Sequence, residues 1–359
     1  MRIVDLVIDD VAFGGKGIGR EQGKAVFVPF TIDGERVRAR IVREKKQFAE
    51  AELIDVIEPS AHRVTPPCPY FGRCGGCAYQ HIDYEHQLTI KSRQVRDVLQ
   101  RIGKIRELPL RPIIPSPRDY AYRNRITVHV EEGVIGFFRR DTHRLIDIER
   151  CPISREQVNA ALTKLRGEKP PDGHHTLRAS PTARVFSQVN DEVAMSLRDL
   201  MRQVVAPNQQ LLVDAYCGTG FFAKALLDKF ERVIGIDRDK FAIGQARKDA
   251  TEKERYVAGD VDVALPNLFG LTEQVSQAVS TLIVDPPATG LSAAARTAIV
   301  DLAPATLIYV SCNPPTLARD LKELQENFTI ESVTPLDMFP QTADIEVAAS
   351  LRHKELVSA

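Results

Sequence analysis

At 359 residues, with 43% apolar and 27% charged side chains, the chain is long enough for two or three packed domains. Its 48 basic and 48 acidic groups cancel, so net charge says nothing about a polyanionic partner, although charge can still be local. No apolar run approaches the roughly 18 residues of a membrane span, and the opening MRIVDLVIDD lacks the basic-then-apolar pattern of a secretory leader. The expectation is a cytoplasmic protein with no membrane partner and no evident protein partner, a monomer, whose six cysteines act as ligands or nucleophiles before disulfides.

Residues 1–58 divide into short strand-like runs between Gly-rich turns: VDLVIDDVAF, GGKGIGR, KAVFVPF, ERVRARIVRE and FAEAELIDVIE. Such spacing predicts a small β-barrel. Alternation places Arg36, Arg38 and Arg40 on one side of the fourth run, either as a solvated strand face or as a stripe for phosphates. The stretch CPYFGRCGGCAYQH then brings Cys68, Cys74 and Cys77 into one Gly-rich loop. From spacing alone a disulfide, a zinc site and an iron–sulfur cluster all stay open.

Residues 83–103 repeat Leu88, Val95, Val98, Leu99 and Ile102 at helical spacing. ELPLRPIIPSPRDY has four prolines in fourteen residues and predicts a linker or an extended crossing segment. Strands follow at NRITVHVEE and VIGFFRR, with a second break at GEKPPDGHH that puts His174 and His175 in a loop. From about residue 186 apolar strands alternate with helical stretches, the pattern of a Rossmann-like, doubly wound parallel α/β sheet. The expected division is 1–58, a barrel; 59–185, a central α+β unit; and 186–359, the α/β unit.

In the last unit, QLLVDAYCGTGFFAKALLDKF reads as a buried strand ending at Asp214, a turn through Tyr216, Gly218 and Gly220, and a helix from about Phe221. The next strand ends at Asp237, a carboxylate placed for ribose hydroxyls. These features suit a dinucleotide as well as S-adenosylmethionine. Two further strand ends weigh against hydride transfer: STLIVDPPATG delivers Asp285, and TLIYVSCNPPTLARDL delivers Cys312, both to the carboxyl edge where open α/β sheets bind ligands. Asn-Pro-Pro after Cys312 ends the strand and turns the chain away, so its sulfur is expected to face the crevice. Asp260, between these strands, is a candidate for the adenine edge.

With DAYCGTG, DPP, SCNP and the late FPQTADIE in this order, the chain resembles the S-adenosylmethionine-dependent RNA 5-methyluridine methyltransferases that carry a TRAM domain and an iron–sulfur cluster, the 23S rRNA uracil-C5 enzymes among them. The likeness spans nearly the whole chain, with YRNRITVHV, GFFRRDTHRLIDIERCPI and FSQVN similar to the family's middle segments. It implies a class I methyltransferase domain behind a TRAM barrel. It further implies Cys68, Cys74, Cys77 and Cys151 as ligands of a [4Fe-4S] cluster, Cys312 as the nucleophile, and Glu346 as the base, with Asp285 near the target base. Gln188, Asp214, Tyr216, Gly218, Gly220, Asp237 and Asp260, with Asp285, are the implied cofactor set, and Phe186, Gln188, Arg36, Arg38, Arg40 and Arg123 the RNA contacts. The resemblance favours ribosomal RNA; transfer RNA and a non-catalytic RNA-binding role on the same scaffold are the alternatives, and a dehydrogenase is a distant further one. Two positions depart from the family pattern: Ala288 stands where an arginine is usual and Asp344 where a histidine is usual.

Overall fold

The computed structural model describes residues 2–140, 142–180, 188–268 and 279–356. Strands β1 (Ile3–Val11), β2 (Lys16–Glu21), β3 (Lys24–Pro29), β4 (Arg36–Glu44) and β5 (Phe48–Glu58) close into a barrel in the order β1-β2-β3-β5-β4. Closure follows from strict alternation: Val4, Leu6 and Ile8 of β1 and Val37, Ala39 and Ile41 of β4 point inward, and their neighbours face solvent.

Helix α1 (Tyr84–Arg101) starts at Asp83, whose carboxylate accepts the His86 amide at 2.9 Å. Leu88, Val95 and Leu99 are buried as expected, yet Gln87, Lys91 and Gln94 are buried with them. Each of these polar groups has a distant partner. Lys91 Nζ donates to Asp337 Oδ1 at 2.6 Å and to the Phe339 carbonyl at 2.9 Å. Gln87 Nε2 donates to Gln341 Oε1 at 3.0 Å while the Gln341 amide donates back at 3.1 Å, and Gln94 Nε2 donates to the carbonyls of Val11 and Ala12.

The central unit is a sheet in the order β8-β7-β6-β9, made of β6 (Arg125–Glu131), β7 (Val134–Phe138), β8 (Leu145–Asp147) and β9 (Gly173–Arg178). Helix α2 (Glu156–Gly167) packs Val158 and Leu162 onto its inner face. His174 and His175, expected in a loop, lie in β9, because their segment pairs in register with β6 despite the preceding Pro-Pro-Asp-Gly turn.

The last unit holds α3 (Asp191–Val204), β10 (Gln209–Ala215), α4 (Phe221–Ala225), β11 (Phe230–Asp237), α5 (Lys240–Lys248), β12 (Glu254–Ala258), α6 (Val261–Ala264), β13 (Thr281–Val284), α7 (Ala293–Leu302), β14 (Thr306–Ser311), α8 (Pro314–Leu324), β15 (Phe328–Leu336) and β16 (Glu346–His353). The sheet runs β12-β11-β10-β13-β14-β16-β15. Its first five strands are parallel, as expected; β16 runs antiparallel to both its neighbours, β14 and β15, which the expectation of a parallel sheet does not include. β13 and β14 are buried at every residue, because helices cover both faces. The proline-rich segment becomes a cover for the outer strand: Arg111 and Ile114 donate their amides to Val333 and Pro335 of β15. Prolines are tolerated there because only one edge of the segment pairs. Among the described residues no helix is long and apolar enough to cross a membrane.

The buried Lys91–Asp337 pair gives a direct stability test. Lys91→Ala leaves an unpaired buried carboxylate and is expected to cost about 3–5 kcal/mol, read as a lower urea midpoint, whereas the double variant Lys91→Met/Asp337→Leu recovers most of the loss.

Candidate active site

Topology brings three chemical groups to one edge of the large sheet. Asp285 follows β13 and Cys312 follows β14, both at carboxyl ends. Glu346 opens β16, and because β16 runs antiparallel to β14 with Val347 opposite Ser311, its first residue reaches the edge where β14 ends. Glu346 is 3% exposed, Asp285 and Cys312 half-buried.

Burial raises the proton affinity of all three. The Cys312 thiol is pushed up to about 11 by burial first, then by the carboxylates of Glu346 and Asp285, with exposed Asp344 adding to them. Glu346 is raised well above the usual carboxylate range by burial and by Asp285, and Asp285 itself is raised by burial. The arrangement sets a thiol beside two carboxyls of raised proton affinity, which in their ionised form are suited to accept a proton. Loop contacts fix the spacing. Asn313 Nδ2 and Thr316 Oγ1 donate to the Ala288 carbonyl at 2.9 and 3.2 Å, tying the Cys312 loop to the Asp285 loop. Buried Asp320 accepts from the Leu291 amide at 2.8 Å and the Tyr309 hydroxyl at 2.7 Å.

Beside this edge, Gln188, Tyr216, Gly218 and Asp285 share a cavity of about 230 Å³ with Asp191, Arg198 and Phe221. Its floor is the turn after β10, where Tyr216 (φ 65°), Gly218 (φ 55°) and Gly220 (φ 83°) adopt left-handed backbone. Gly220 is required twice over, since a Cβ there would also meet the Tyr256 hydroxyl at 2.6 Å. Asp214 lies behind the turn, fully buried: Oδ2 accepts the Ala223 amide at 2.9 Å, Oδ1 has no partner among the described residues, and burial, reinforced by Asp285 and Asp237, pushes its carboxyl up to about 8. Asp237 accepts the Gly218 amide at 2.8 Å, and exposed Asp260 caps α6 through the Asp262 amide. Neither lines that cavity; both stand at neighbouring strand ends.

A second cavity, about 280 Å³, collects Cys68, Cys74, Cys77 and Cys151, all free thiols. Burial raises Cys68, Cys74 and Cys77, the last to about 12, and neighbouring sulfurs, Cys151 included, add to each shift. Cys151, distant in sequence, is held by reciprocal bonds with Asn159 of α2: its amide donates to Asn159 Oδ1 at 2.9 Å and its carbonyl accepts from Nδ2 at 3.1 Å. Among the described residues no three His, Cys, Asp or Glu side chains close on a single metal ion. The sulfurs surround a space instead of meeting at a point.

The remaining expected contacts are dispersed. Arg36, Arg38 and Arg40 project from one face of β4 but pair with Glu58, Asp5 and Glu52 of adjacent strands. Arg123 lines the cysteine cavity and donates to the Arg125 carbonyl at 3.2 Å. Phe186 lies outside the described residues. Asn124, Asn313 and Asp320 were missed by sequence reasoning. Only the Asn-Pro-Pro run after Cys312 offered a signal for Asn313; the partners of the other two are set by tertiary contact. The site's electrostatics yield a test: alkylation of Cys312 by iodoacetamide, followed by peptide mass mapping, is expected to accelerate with pH toward a midpoint near 11, and Glu346→Gln, by removing a neighbouring negative charge, lowers that midpoint and speeds alkylation several-fold at pH about 9.5.

The tRNA (uracil-5-)-methyltransferase family model matches residues 268–354, the stretch holding Asp285, Cys312 and Glu346, and the TRAM domain model matches residues 2–54. An uncharacterized RNA methyltransferase of Synechocystis sp. is 30% identical, covering 98% of this chain and 96% of its own. One from Protochlamydia amoebophila is 30% identical over 96% of each, and one from Halalkalibacterium halodurans 28% identical over 98% of this chain and 97% of its own. Among solved structures, the Pyrococcus abyssi tRNA (uracil-54, C5)-methyltransferase in complex with S-adenosyl-L-homocysteine has a TM-score of 0.72 at 24% identity, covering 97% of this chain and 99% of that one, a likeness of fold. The chain belongs to the RNA methyltransferases, with a TRAM domain at its amino end and the (uracil-5-)-methyltransferase match at its carboxyl end.

Proposed function

We propose that this enzyme methylates carbon 5 of a uridine in 23S ribosomal RNA, with S-adenosylmethionine as donor. The observation that carries the reading is the meeting of Cys312, Asp285 and Glu346 at one sheet edge, beside the cavity of Gln188, Tyr216 and Gly218. Carbon 5 of uracil is too weak a nucleophile to act alone. The Cys312 thiol passes its proton to solvent at the half-buried edge, and the thiolate adds to carbon 6, turning the ring into an enolate reactive at carbon 5. When bound, S-adenosylmethionine supplies an electrophilic methyl group. Glu346 then takes the proton from carbon 5, the sulfur–carbon 6 bond breaks, and the ring double bond re-forms. The raised proton affinity of Glu346 suits it to that last step.

Within this reading Gly218 and Gly220 let the backbone approach the cofactor, Asp237 takes its ribose hydroxyls, Asp260 its adenine edge, and Asp214, Tyr216 and Gln188 complete the set. Asp285 orients the uracil. Cys68, Cys74, Cys77 and Cys151 hold a [4Fe-4S] cluster in a structural role; a cavity of about 280 Å³ ringed by four thiols suits a multi-atom cluster gripped at its corners better than one zinc ion with sulfurs at about 2.3 Å. Arg36, Arg38, Arg40 and Arg123 contact phosphates, the barrel arginines by exchanging their carboxylate partners, and Phe186 stacks on a base. We divide the chain at 58/59 and 185/186 and regard it as a cytoplasmic monomer.

A transfer-RNA target is the second reading, favoured by the description of the matched family model and by what the archaeal neighbour acts on. Anaerobically purified full chain, methyl-labelled S-adenosylmethionine and unmodified ribosomal or transfer RNA, with nucleoside analysis, separate the readings. Label is expected as 5-methyluridine in 23S RNA and is lost with Cys312→Ala. Glu346→Gln is expected to slow turnover by about 10²–10⁴ and to accumulate a protein–RNA adduct on denaturing gels. Label in transfer RNA alone overturns the ribosomal target; no label in either overturns the enzyme reading in favour of an RNA-binding role.

A further inference from the structure

Ala121 (φ 52°) and Gln341 (φ 68°) hold left-handed backbone without being glycine. Such strain persists only where surrounding contacts over-determine it. Both residues are held in this way, and the contacts of each lead to the cysteine cavity. The carbonyl of buried Gln341 accepts two amides at 3.0 Å, from Ala78 and Tyr79, the residues that directly follow Cys77. The Ala121 amide donates at 3.0 Å to the carbonyl of Pro152, the residue after Cys151, and the Arg123 amide donates at 2.9 Å to the Ile153 carbonyl. Between them stands Tyr122, buried, with its hydroxyl donating to the Pro340 carbonyl at 3.0 Å.

Two cysteine-bearing segments, distant in sequence, therefore grip adjacent carbonyls. The Cys77 segment holds Gln341 directly, and the Cys151 segment holds Pro340 through Tyr122. Helix α1 adds a third grip, on the Gln341 side chain through Gln87. The gripped turn leads straight to Glu346. The Thr342 amide and hydroxyl both donate to the Phe339 carbonyl, at 3.2 and 2.9 Å, and the Asp344 amide donates to Thr342 Oγ1 at 3.2 Å. Ile345 and Glu346 follow, both buried. A run so short and so bonded passes a displacement at Gln341 on to Glu346 instead of absorbing it.

What sets the spacing of the two segments is the content of the cavity they share, about 280 Å³ with Cys68, Cys74, Cys77 and Cys151 on its wall. Free thiols make only weak hydrogen bonds. A group bonded to all four sulfurs fixes that spacing, and its loss lets the walls move.

We propose that the four-cysteine site is a latch on the loop that carries Glu346: the group it binds sets the spacing of the Cys77 and Cys151 segments, and Tyr122, a positioning residue, passes that spacing through Pro340 to Glu346. The inference rests on the reaction and cluster readings above, and it assigns to the cluster the step it serves, removal of the carbon 5 proton.

The test uses the full chain purified anaerobically, with its iron counted and hydrogen exchange read by mass spectrometry in the peptide 338–346. Stripping the iron with ferricyanide and EDTA is expected to speed exchange there by more than about threefold and to leave the barrel peptides unchanged. Tyr122→Phe, which removes one hydroxyl and keeps the ring, is expected to speed exchange in the same peptide with wild-type iron content. In the labelled-cofactor assay this variant is expected to bind RNA within about twofold of wild type, and to raise the ratio of protein–RNA adduct to released 5-methyluridine about tenfold. A purely structural role for Tyr122 does not produce that split. The latch is overturned by a smaller response of peptide 338–346 to stripping, by exchange that rises across the whole chain together, by a Tyr122→Phe variant that matches wild type in both readouts, or by anaerobic protein that carries no iron. Exchange that follows the expected pattern while wild type yields no 5-methyluridine overturns the proposed reaction and leaves the latch standing; methylation by wild type with exchange indifferent to stripping does the reverse.

Discussion

The frame around Cys312 depends on an ion pair buried between helix α1 and the end of β15. Lys91 of α1 and Asp337, at the end of β15, are both fully enclosed and meet at 2.6 Å. Removing two such charges from water costs several kcal/mol per ion, and attraction returns that cost only in one geometry. The pair thus contributes more to register than to net stability. Asp337 opens the loop that runs to Glu346, and the same helix holds Gln341 of that loop through Gln87 and the end of β1 through Gln94. Gln87 Nε2 also donates to the Tyr79 and Ile82 carbonyls, so one helix face sets the barrel, the turn after the cysteines and the approach to Glu346 relative to one another. An apolar stripe could slide; paired amides and a salt bridge define one position.

That rigidity permits an electrostatically unfavourable site. Carboxyls at the ends of β13 and β16 flank a thiol at the end of β14; both carboxyls raise the proton affinity of the thiol, and Asp285 raises that of Glu346. Solvent-exposed groups would relax apart. Here Glu346 is the first residue of a strand paired along both edges, and the loops of Asp285 and Cys312 are tied to each other through Ala288. Burial that raises the proton affinity of Glu346 and Asp285 makes each, once ionised, a stronger base than an exposed carboxylate.

Much of this was legible in the sequence where a single element carries the signal. β10, β13 and β14 are near-continuous apolar runs, so their carboxyl ends, and with them Asp214, Asp285 and Cys312, could be placed. The barrel announced itself through alternation. What stayed hidden depends on contacts between distant segments. Lys91 and Gln94 break the apolar stripe of α1, and nothing local says that Asp337 and Val11 await them. The alternation that displayed Arg36, Arg38 and Arg40 could not show the carboxylates opposite each, which come from β1 and β5. His174 and His175 follow a Pro-Pro-Asp-Gly turn, and local turn chemistry outweighed the pairing with β6 that makes them strand.

The departure at Ala288 illustrates the same division between main chain and side chain. The loop after Asp285 is fastened by its backbone: the Ala288 carbonyl accepts from Asn313 and Thr316, the Thr289 and Leu291 carbonyls accept from Arg319 Nη2, and the Leu291 amide donates to Asp320. None of these bonds uses the side chain at 288, which is exposed. An arginine there would add charge at the mouth of the crevice without altering the frame that holds Asp285. The loop therefore makes no demand on the side chain at 288, while Asn313, Arg319 and Asp320 are constrained by the loop itself.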